Sequence, residues 1–217
     1  MRTKSDPSAV HAAAAAVLWL TSVASAAAPL TPEAPAPRAE ASDGSGSLEL
    51  SIPDVPVVTQ DGEHLSFHRD LVAGKVVAIN FIFTTCTTVC PPLGVKFGTL
   101  QRLLGDHFGK DAFLISVSVD PINDTPARLK AWAAKFGARP GWTLVTGRKQ
   151  DIDELLRGLS SSGASPEGHT PMVLIGNDAA GSWTRAHGFA PSGTLIKSIE
   201  KALAAKGAAV ARAGGSR

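Results

Sequence analysis

Apolar and polar residues along the central part of the chain follow patterns that predict five strands, two of them buried. Near-continuous apolar runs at 76–83 and 111–119 have the length and the β-branched composition of strands buried on both faces. Shorter apolar runs at 142–145, 172–175 and 182–189 predict three more strands. Strands of this kind, separated by polar segments, indicate an α/β domain rather than a sandwich or a helical bundle.

Helices are predicted in the segments between and after these strands. One covers 91–107 and has prolines in its first turn, and a second covers 125–137 with proline at its first position. A third covers 151–159, where acidic residues occupy the first turn, and a fourth covers 192–205. The Asp-Gly pair within 60–63 lies between apolar runs, which predicts an N-terminal β-hairpin. We expect a thioredoxin-like fold, with a mixed central β-sheet flanked by helices.

The two ends of the chain differ in composition from the centre. Residues 1–26 carry basic side chains, an apolar stretch and an A-x-A cleavage pattern, which predicts a secretory signal peptide or, if uncleaved, a membrane anchor. Residues 27–47 are rich in Pro, Ala, Gly and Ser and predict a flexible linker. The folded domain is predicted at 48–205, followed by a disordered tail at 206–217. Both interpretations of the N-terminus place the domain outside the cytoplasm, in the periplasm or an equivalent compartment.

Charge and cysteine content exclude several classes of protein. Between positions 48 and 205 the chain has 15 Lys or Arg and 15 Asp or Glu, without a block of basic residues, so nucleic-acid binding is not expected. Only two cysteines occur in 217 residues, which is too few for a disulfide-stapled miniprotein or a cysteine-rich zinc module. Any metal site therefore has to combine this one pair with other side chains.

The two cysteines, Cys86 and Cys90, are the strongest candidates for chemistry. They follow the predicted strand at 76–83, and Pro91 and Pro92 belong in a first helical turn, so Cys86 lies in a loop and Cys90 at the helix N-terminus. The helix dipole there favours an anion, so we expect a lowered thiol pKa at Cys90. A structural disulfide would contribute only about 2 kcal/mol across so short a loop. The spacing favours a redox pair or a metal site.

A third ligand would turn the cysteine pair into a selective copper site, because thiolates and imidazole both suit copper. His169 is the best candidate of the six histidines, since it directly precedes the apolar strand that begins at Pro171. Asp120 ends the second buried strand, where a role in a turn is favoured over tuning the charge of the cysteine loop. Asp124 or Thr125 is expected to cap the helix that follows.

Taken together, these motifs resemble the Sco/SenC family, thioredoxin-like proteins associated with copper delivery to cytochrome c oxidase. The resemblance covers about 48–205. The motifs that carry it are GKVV at 74–77, FIFTTCTTVCP at 81–91, VSVDP at 117–121, DTP at 124–126, LVTG at 144–147 and GHT at 168–170. The resemblance implies that Cys86, Cys90 and His169 ligate copper, with Asp120 and Asp124 in a supporting acidic turn.

Two functions follow from the resemblance and the cysteine pair. The first is an extracytoplasmic copper metallochaperone, which would need a copper-accepting oxidase subunit and a thiol reductant as partners. The second is a thiol–disulfide oxidoreductase that keeps target cysteines reduced, in which Cys86 and Cys90 are essential and His169 is dispensable. A peroxidase of the peroxiredoxin type is a weaker alternative, and copper or redox sensing is compatible with the same residues.

Overall fold

A computed structural model describes Leu48, residues 50–159 and residues 171–214. The predicted signal or anchor at 1–26 and the predicted linker at 27–47 lie outside the described residues. Within the part that the structure does describe, no helix is both long and apolar enough to cross a membrane.

Seven strands and four long helices make up the described part of the chain. The strands are β1 Pro56–Thr59, β2 His64–Ser66, β3 Val76–Ile82, β4 Ala112–Ser118, β5 Trp142–Thr146, β6 Met172–Asn177 and β7 Ser182–His187. The helices are α1 Cys90–Leu103, α2 Pro126–Lys135, α3 Lys149–Gly158 and α4 Ser192–Gly214. Short helical segments lie at Phe67–Val72, Gly105–His107 and Asp178–Ala180.

The strands form one mixed sheet in the order β2-β1-β5-β4-β3-β6-β7. β3 pairs in parallel with β4, and β4 with β5, whereas β3 pairs antiparallel with β6, and β6 with β7. β1 pairs antiparallel with both β2 and β5. This mixed sheet flanked by helices confirms the predicted thioredoxin-like α/β class.

The central strand β3 is buried along its whole length, because helices cover both faces of the sheet. Alternate side chains of a strand point to opposite faces, so β3 contributes to two separate cores. One core packs against α1, α2 and α4, through side chains such as Phe97, Trp132 and Leu195. The other packs against α3 and the helical segment after β2, through Ile152 and Phe67. Because helices pack on both faces of the sheet, the position of the edge where β3 ends is held by the two cores.

Three elements differ from the sequence-based expectation. α1 ends at Leu103 rather than near His107, because Gly105 adopts a left-handed backbone (φ +52°) that interrupts the helix. The second strand of the predicted N-terminal hairpin ends at Ser66, and Phe67 begins a short helix. The last helix, expected to end at 205, continues to Gly214 through an alanine-rich stretch with high helix propensity.

Candidate metal and redox site

The two cysteines lie at the edge of the sheet where the central strand ends. β3 ends at Ile82, Cys86 occupies the following loop, and Cys90 is the first residue of α1. The N–H of Cys86 donates to the carbonyl oxygen of Phe83 at 3.2 Å, which turns the loop back toward the strand. Because β4 runs parallel to β3, the segment after β4 reaches the same edge. Asp124, in that segment, is thereby brought to the cysteine loop.

The start of α1 has one free backbone donor, and it points at a sulfur atom. The first N–H groups of a helix have no partner within the helix. Pro91 and Pro92 carry no N–H, and the N–H of Leu93 donates to the carbonyl oxygen of Val89 at 3.3 Å. The N–H of Cys90 remains, and it donates to Sγ of Cys86 at 3.3 Å. The sequence C-x-x-x-C-P-P therefore directs the one available donor of the helix start at the first cysteine.

These contacts stabilise a thiolate on Cys86. Burial raises the pKa of the Cys86 thiol, but hydrogen bonds from Cys90 and from Thr88 together outweigh burial and lower the pKa from its ordinary value of 9.0. Cys86 also keeps 8% of its surface exposed, whereas Cys90 is fully buried. Neither sulfur forms a disulfide in this structure. Cys86 is therefore both the more exposed of the two cysteines and the one whose thiol ionises more readily.

Cys90 behaves in the opposite way, and the expectation of a lowered pKa at this residue is wrong. Burial, together with the hydrogen bond that Cys90 makes to Cys86, raises the pKa of the Cys90 thiol to about 12. The negative charge of Asp124 contributes in the same direction. Cys90 does lie at a helix N-terminus, but its own N–H faces the other sulfur, so the anion is stabilised there. The pair therefore consists of one thiol whose pKa is lowered and one whose pKa is raised.

Asp124 anchors the cysteine loop through Thr84, a contact that goes beyond the supporting acidic turn implied by the family resemblance. Its carboxylate is fully buried, and one oxygen accepts from both the N–H (3.0 Å) and the hydroxyl (2.5 Å) of Thr84. The other carboxylate oxygen accepts from the hydroxyl of Ser118 at 2.6 Å. Thr84 precedes Cys86 by two residues, so these bonds fix the backbone that carries Cys86.

The neighbouring residues of the acidic turn have structural roles. Thr125 is the N-cap of α2, and its side chain accepts from the N–H of Arg128 at 3.3 Å. Asp120 accepts from the side-chain amide of Asn123 at 2.8 Å, and its own N–H donates to Ser118 at 3.1 Å. Asp120 therefore stabilises the turn, in line with the structural role favoured from the sequence.

The third predicted ligand, His169, lies outside the described residues. Within 50–159 and 171–214, no group of three or more His, Cys, Asp or Glu side chains is arranged to hold a metal ion. Two other histidines contact carboxylates elsewhere: His68 contacts Asp178 and His107 contacts Asp111, each at 3.0 Å. Of the three predicted ligands, the described part of the chain thus contains Cys86 and Cys90, and it brings these two together.

Comparison with known proteins assigns these features to a family. A sequence model of the SCO1/SenC family matches residues 54–186, which include both cysteines and His169. The SCO1 protein homolog of Bacillus subtilis is 36% identical over 140 residues, which cover 60% of this chain and 71% of that protein. The chain spans about half the length of its other curated relatives, 46–52% of each, from Rickettsia species and Stutzerimonas stutzeri.

Solved structures agree with the sequence matches. BsSco, a member of the Sco family of cytochrome c oxidase assembly proteins with an identified disulfide switch, is 29% identical, with a TM-score of 0.62 over 73% of this chain and 96% of that one. Yeast Sco1 with copper bound has the same fold, with a TM-score of 0.58 and 20% identity over 72% of this chain and 93% of that one.

Proposed function

We propose, from the premise that this chain belongs to the SCO1/SenC family, that it is an extracytoplasmic copper metallochaperone. In this proposal it delivers copper to the copper centre of cytochrome c oxidase through a copper-accepting oxidase subunit. The observation that carries the proposal is the pair of thiols at the start of α1, where the helix N–H of Cys90 is directed at Sγ of Cys86. Copper on a yeast protein of the same fold, and the assembly role of BsSco, support it.

The chemistry of the pair suits Cu(I) as a cargo. Thiolates are soft ligands that select Cu(I), and imidazole is also a good copper ligand. Hydrogen bonds lower the pKa of Cys86, whereas Cys90, whose pKa is raised to about 12, has to release its proton as the metal binds, so copper binding should become stronger as the pH rises. With His169 as the third ligand, the ion would be three-coordinate. A low coordination number leaves room for a ligand of the acceptor to bind before the donor ligands leave.

Copper titration of the reduced full chain tests the ligand set. We expect one Cu(I) per chain, and we expect His169→Ala to weaken binding by at least about tenfold, since even an outer partner of a metal ligand contributes 10- to 100-fold. His64→Ala is the matched control, because His64 is exposed and lies in the short strand β2. Equal affinities of the His169→Ala variant and the unmodified chain would remove His169 from the site.

A thiol–disulfide oxidoreductase is the second candidate, and the unequal pKa values of the two thiols favour it. The Cys86 thiolate would attack a target disulfide, forming a mixed disulfide and releasing one target thiolate. Cys90 would then lose its proton and attack Sγ of Cys86, which releases the second target thiolate. The chain ends as the Cys86–Cys90 disulfide, and two electrons have passed to the target. A dithiol reductant has to restore the pair before another cycle or before copper binding.

The pKa difference predicts selective alkylation. Iodoacetamide reacts with thiolates, so at pH values below 9 it should modify Cys86 much faster than Cys90, whose pKa is about 12. Peptide mapping by mass spectrometry after short exposures measures the two rates separately. Cys86→Ser should leave the folded protein nearly unmodified under the same conditions. Equal labelling of the two cysteines in the folded chain would contradict the assignment of the thiolate to Cys86.

A further inference from the structure

The exposed side of α1 displays apolar residues that its packing does not explain. The helix is anchored in the core by Leu93, Phe97 and Leu100, all fully buried. On the opposite side, Val95 is 62% exposed, and Leu103, at the end of the helix, is 55% exposed. Large exposed apolar side chains grouped on one element are typical of interaction sites.

A groove of about 560 Å³ lies on one side of this helix, along its first turns. It separates the first turns of α1 from the connection between β7 and α4. Pro91, Pro92, Val95 and Phe189 supply its apolar lining. Pro91 directly follows Cys90 in the chain, so the groove runs along the same first turn of α1 that carries the second cysteine.

A second groove, of about 460 Å³, lies on the other side of α1, against the end of α2. Two glycines let the helices approach here: a Cβ on Gly94 would lie 2.5 Å from the ring of Phe136, and one on Gly98 would lie 2.8 Å from its carbonyl oxygen. Val95 and Thr99 line both grooves. The two grooves are therefore the flanks of one ridge, and we call the whole the α1 surface.

The charged side chains of the α1 surface are all positive. Lys96 lines the first groove, and Arg102, Lys135 and Arg139 line the second. Among the described residues that line the two grooves, neither Asp nor Glu occurs. Positions 48–205 contain equal numbers of acidic and basic residues, so this is a local segregation of charge and not the result of a basic domain.

We propose that the α1 surface docks an acidic segment of a partner polypeptide, whose apolar side chains enter the grooves and whose carboxylates face the four cations. The proposal rests on the proposed function, because it names the surface through which an acceptor of copper or a target of thiol exchange approaches Cys86. Opposite charge steers such an encounter and orients the partner, while the apolar grooves supply contact area.

A polypeptide fits this surface better than an anionic lipid bilayer. A bilayer attracts basic side chains through its surface charge, and that attraction requires no recesses. Here the ridge of Val95 and Thr99 separates two recesses of several hundred Å³ each, which side chains of a folded or helical segment can fill. The cations lie around these recesses, as the polar rim of a protein interface does.

Binding of a synthetic peptide to the reduced, copper-free full chain tests the proposal. The probe is a fluorescent, cysteine-free peptide of alternating Asp and Leu pairs, compared with a peptide in which Asn replaces every Asp. At low ionic strength we expect the acidic peptide to bind at least about tenfold more tightly than the neutral one, with the advantage lost near 1 M salt, where the screening length is about 3 Å. Arg102→Glu with Lys135→Glu should abolish the advantage.

Matched variants separate this surface from general charge effects. Arg157→Glu with Lys201→Glu changes net charge equally at exposed positions outside both grooves, and should leave binding unchanged. Arg102→Gln with Lys135→Gln reduces the charge more mildly and should weaken acidic-peptide binding, with circular dichroism confirming the fold. Equal binding of both peptides, or equal binding by the charge-reversed groove variant, would refute the proposal. Binding only to phosphatidylglycerol vesicles would assign the surface to lipid and also refute it.

Failure of the proposed function is detected by a separate measurement. Copper transfer from the loaded chain to dithiothreitol requires no docking, so the groove variants should transfer at the rate of the unmodified chain. A chain that binds no copper but still prefers the acidic peptide would contradict the metallochaperone role while supporting the surface. A chain that transfers copper normally yet shows no preference for the acidic peptide would refute the surface alone.

Discussion

Replacing Cys90 with alanine is expected to abolish copper binding while leaving the domain folded. In the proposed copper site the substitution would leave one thiolate and the imidazole of His169, which do not make a selective Cu(I) site. Cys90 is fully buried in an apolar core, so alanine leaves a small cavity that costs roughly 1–2 kcal/mol of unfolding free energy. Serine is the poorer choice there, because it would bury a hydroxyl group in apolar surroundings. Copper stoichiometry and a denaturant melt of the same sample measure both effects.

The partner substitution, Cys86→Ser, gives the same loss of copper but a different thiol chemistry. With Cys86 intact and Cys90 absent, attack on a model disulfide should stop at a stable mixed disulfide on Cys86, which mass spectrometry detects. With Cys86 replaced, the remaining thiol is buried and its pKa is about 12, so almost no adduct should form. Stoichiometric copper binding by Cys90→Ala, or equal adducts on both single variants, would overturn the assignment of the pair.

Much of this domain was predictable because its core strands carry unambiguous patterns. β3 and β4 are apolar along almost their whole length, and such a nearly continuous apolar run is typical of a strand that is buried on both faces. The prolines at 91 and 92 placed the start of α1 for a similar reason, since proline is accommodated only in a first turn. The location of Cys86 and Cys90 at the end of β3 followed from these two local rules.

The unequal chemistry of the two thiols was not predictable, because it depends on the direction of one bond. The helix dipole acts on both sulfurs, and the sequence does not show that the N–H of Cys90 is aimed at Cys86. Nor does it show that the Cys90 sulfur is the one enclosed by the core. The contact of Asp124 with Thr84 was not predicted for a related reason: the two residues are 40 positions apart in the chain. Such pairings arise only once β3 and β4 lie side by side.

Asp124→Ala is expected to damage both stability and copper binding, because it removes the support of the cysteine loop. The buried carboxylate accepts three hydrogen bonds, two from Thr84 and one from Ser118. Alanine leaves these donors buried without an acceptor, which we expect to cost about 3–4 kcal/mol of unfolding free energy. The loop before Cys86 loses its anchor, so copper affinity should fall as well. Urea unfolding and copper titration measure the two losses, and Thr84→Val, which removes a single hydroxyl group, should show a smaller loss of each.

Asp124→Asn separates the position of the loop from the charge beneath it. The asparagine oxygen can accept both bonds from Thr84, and its amide can donate to the hydroxyl oxygen of Ser118, so we expect a stability loss of only about 1 kcal/mol. The negative charge that helps to raise the pKa of Cys90 disappears, so the thiolate of Cys90 should form at lower pH than in the unmodified chain. Ultraviolet thiolate absorbance measures that shift. If Asp124 acts only through position, Asp124→Asn has the copper affinity and the Cys90 pKa of the unmodified chain. If its charge also acts, copper affinity at neutral pH rises above that of the unmodified chain, because less work is needed to remove the proton of Cys90.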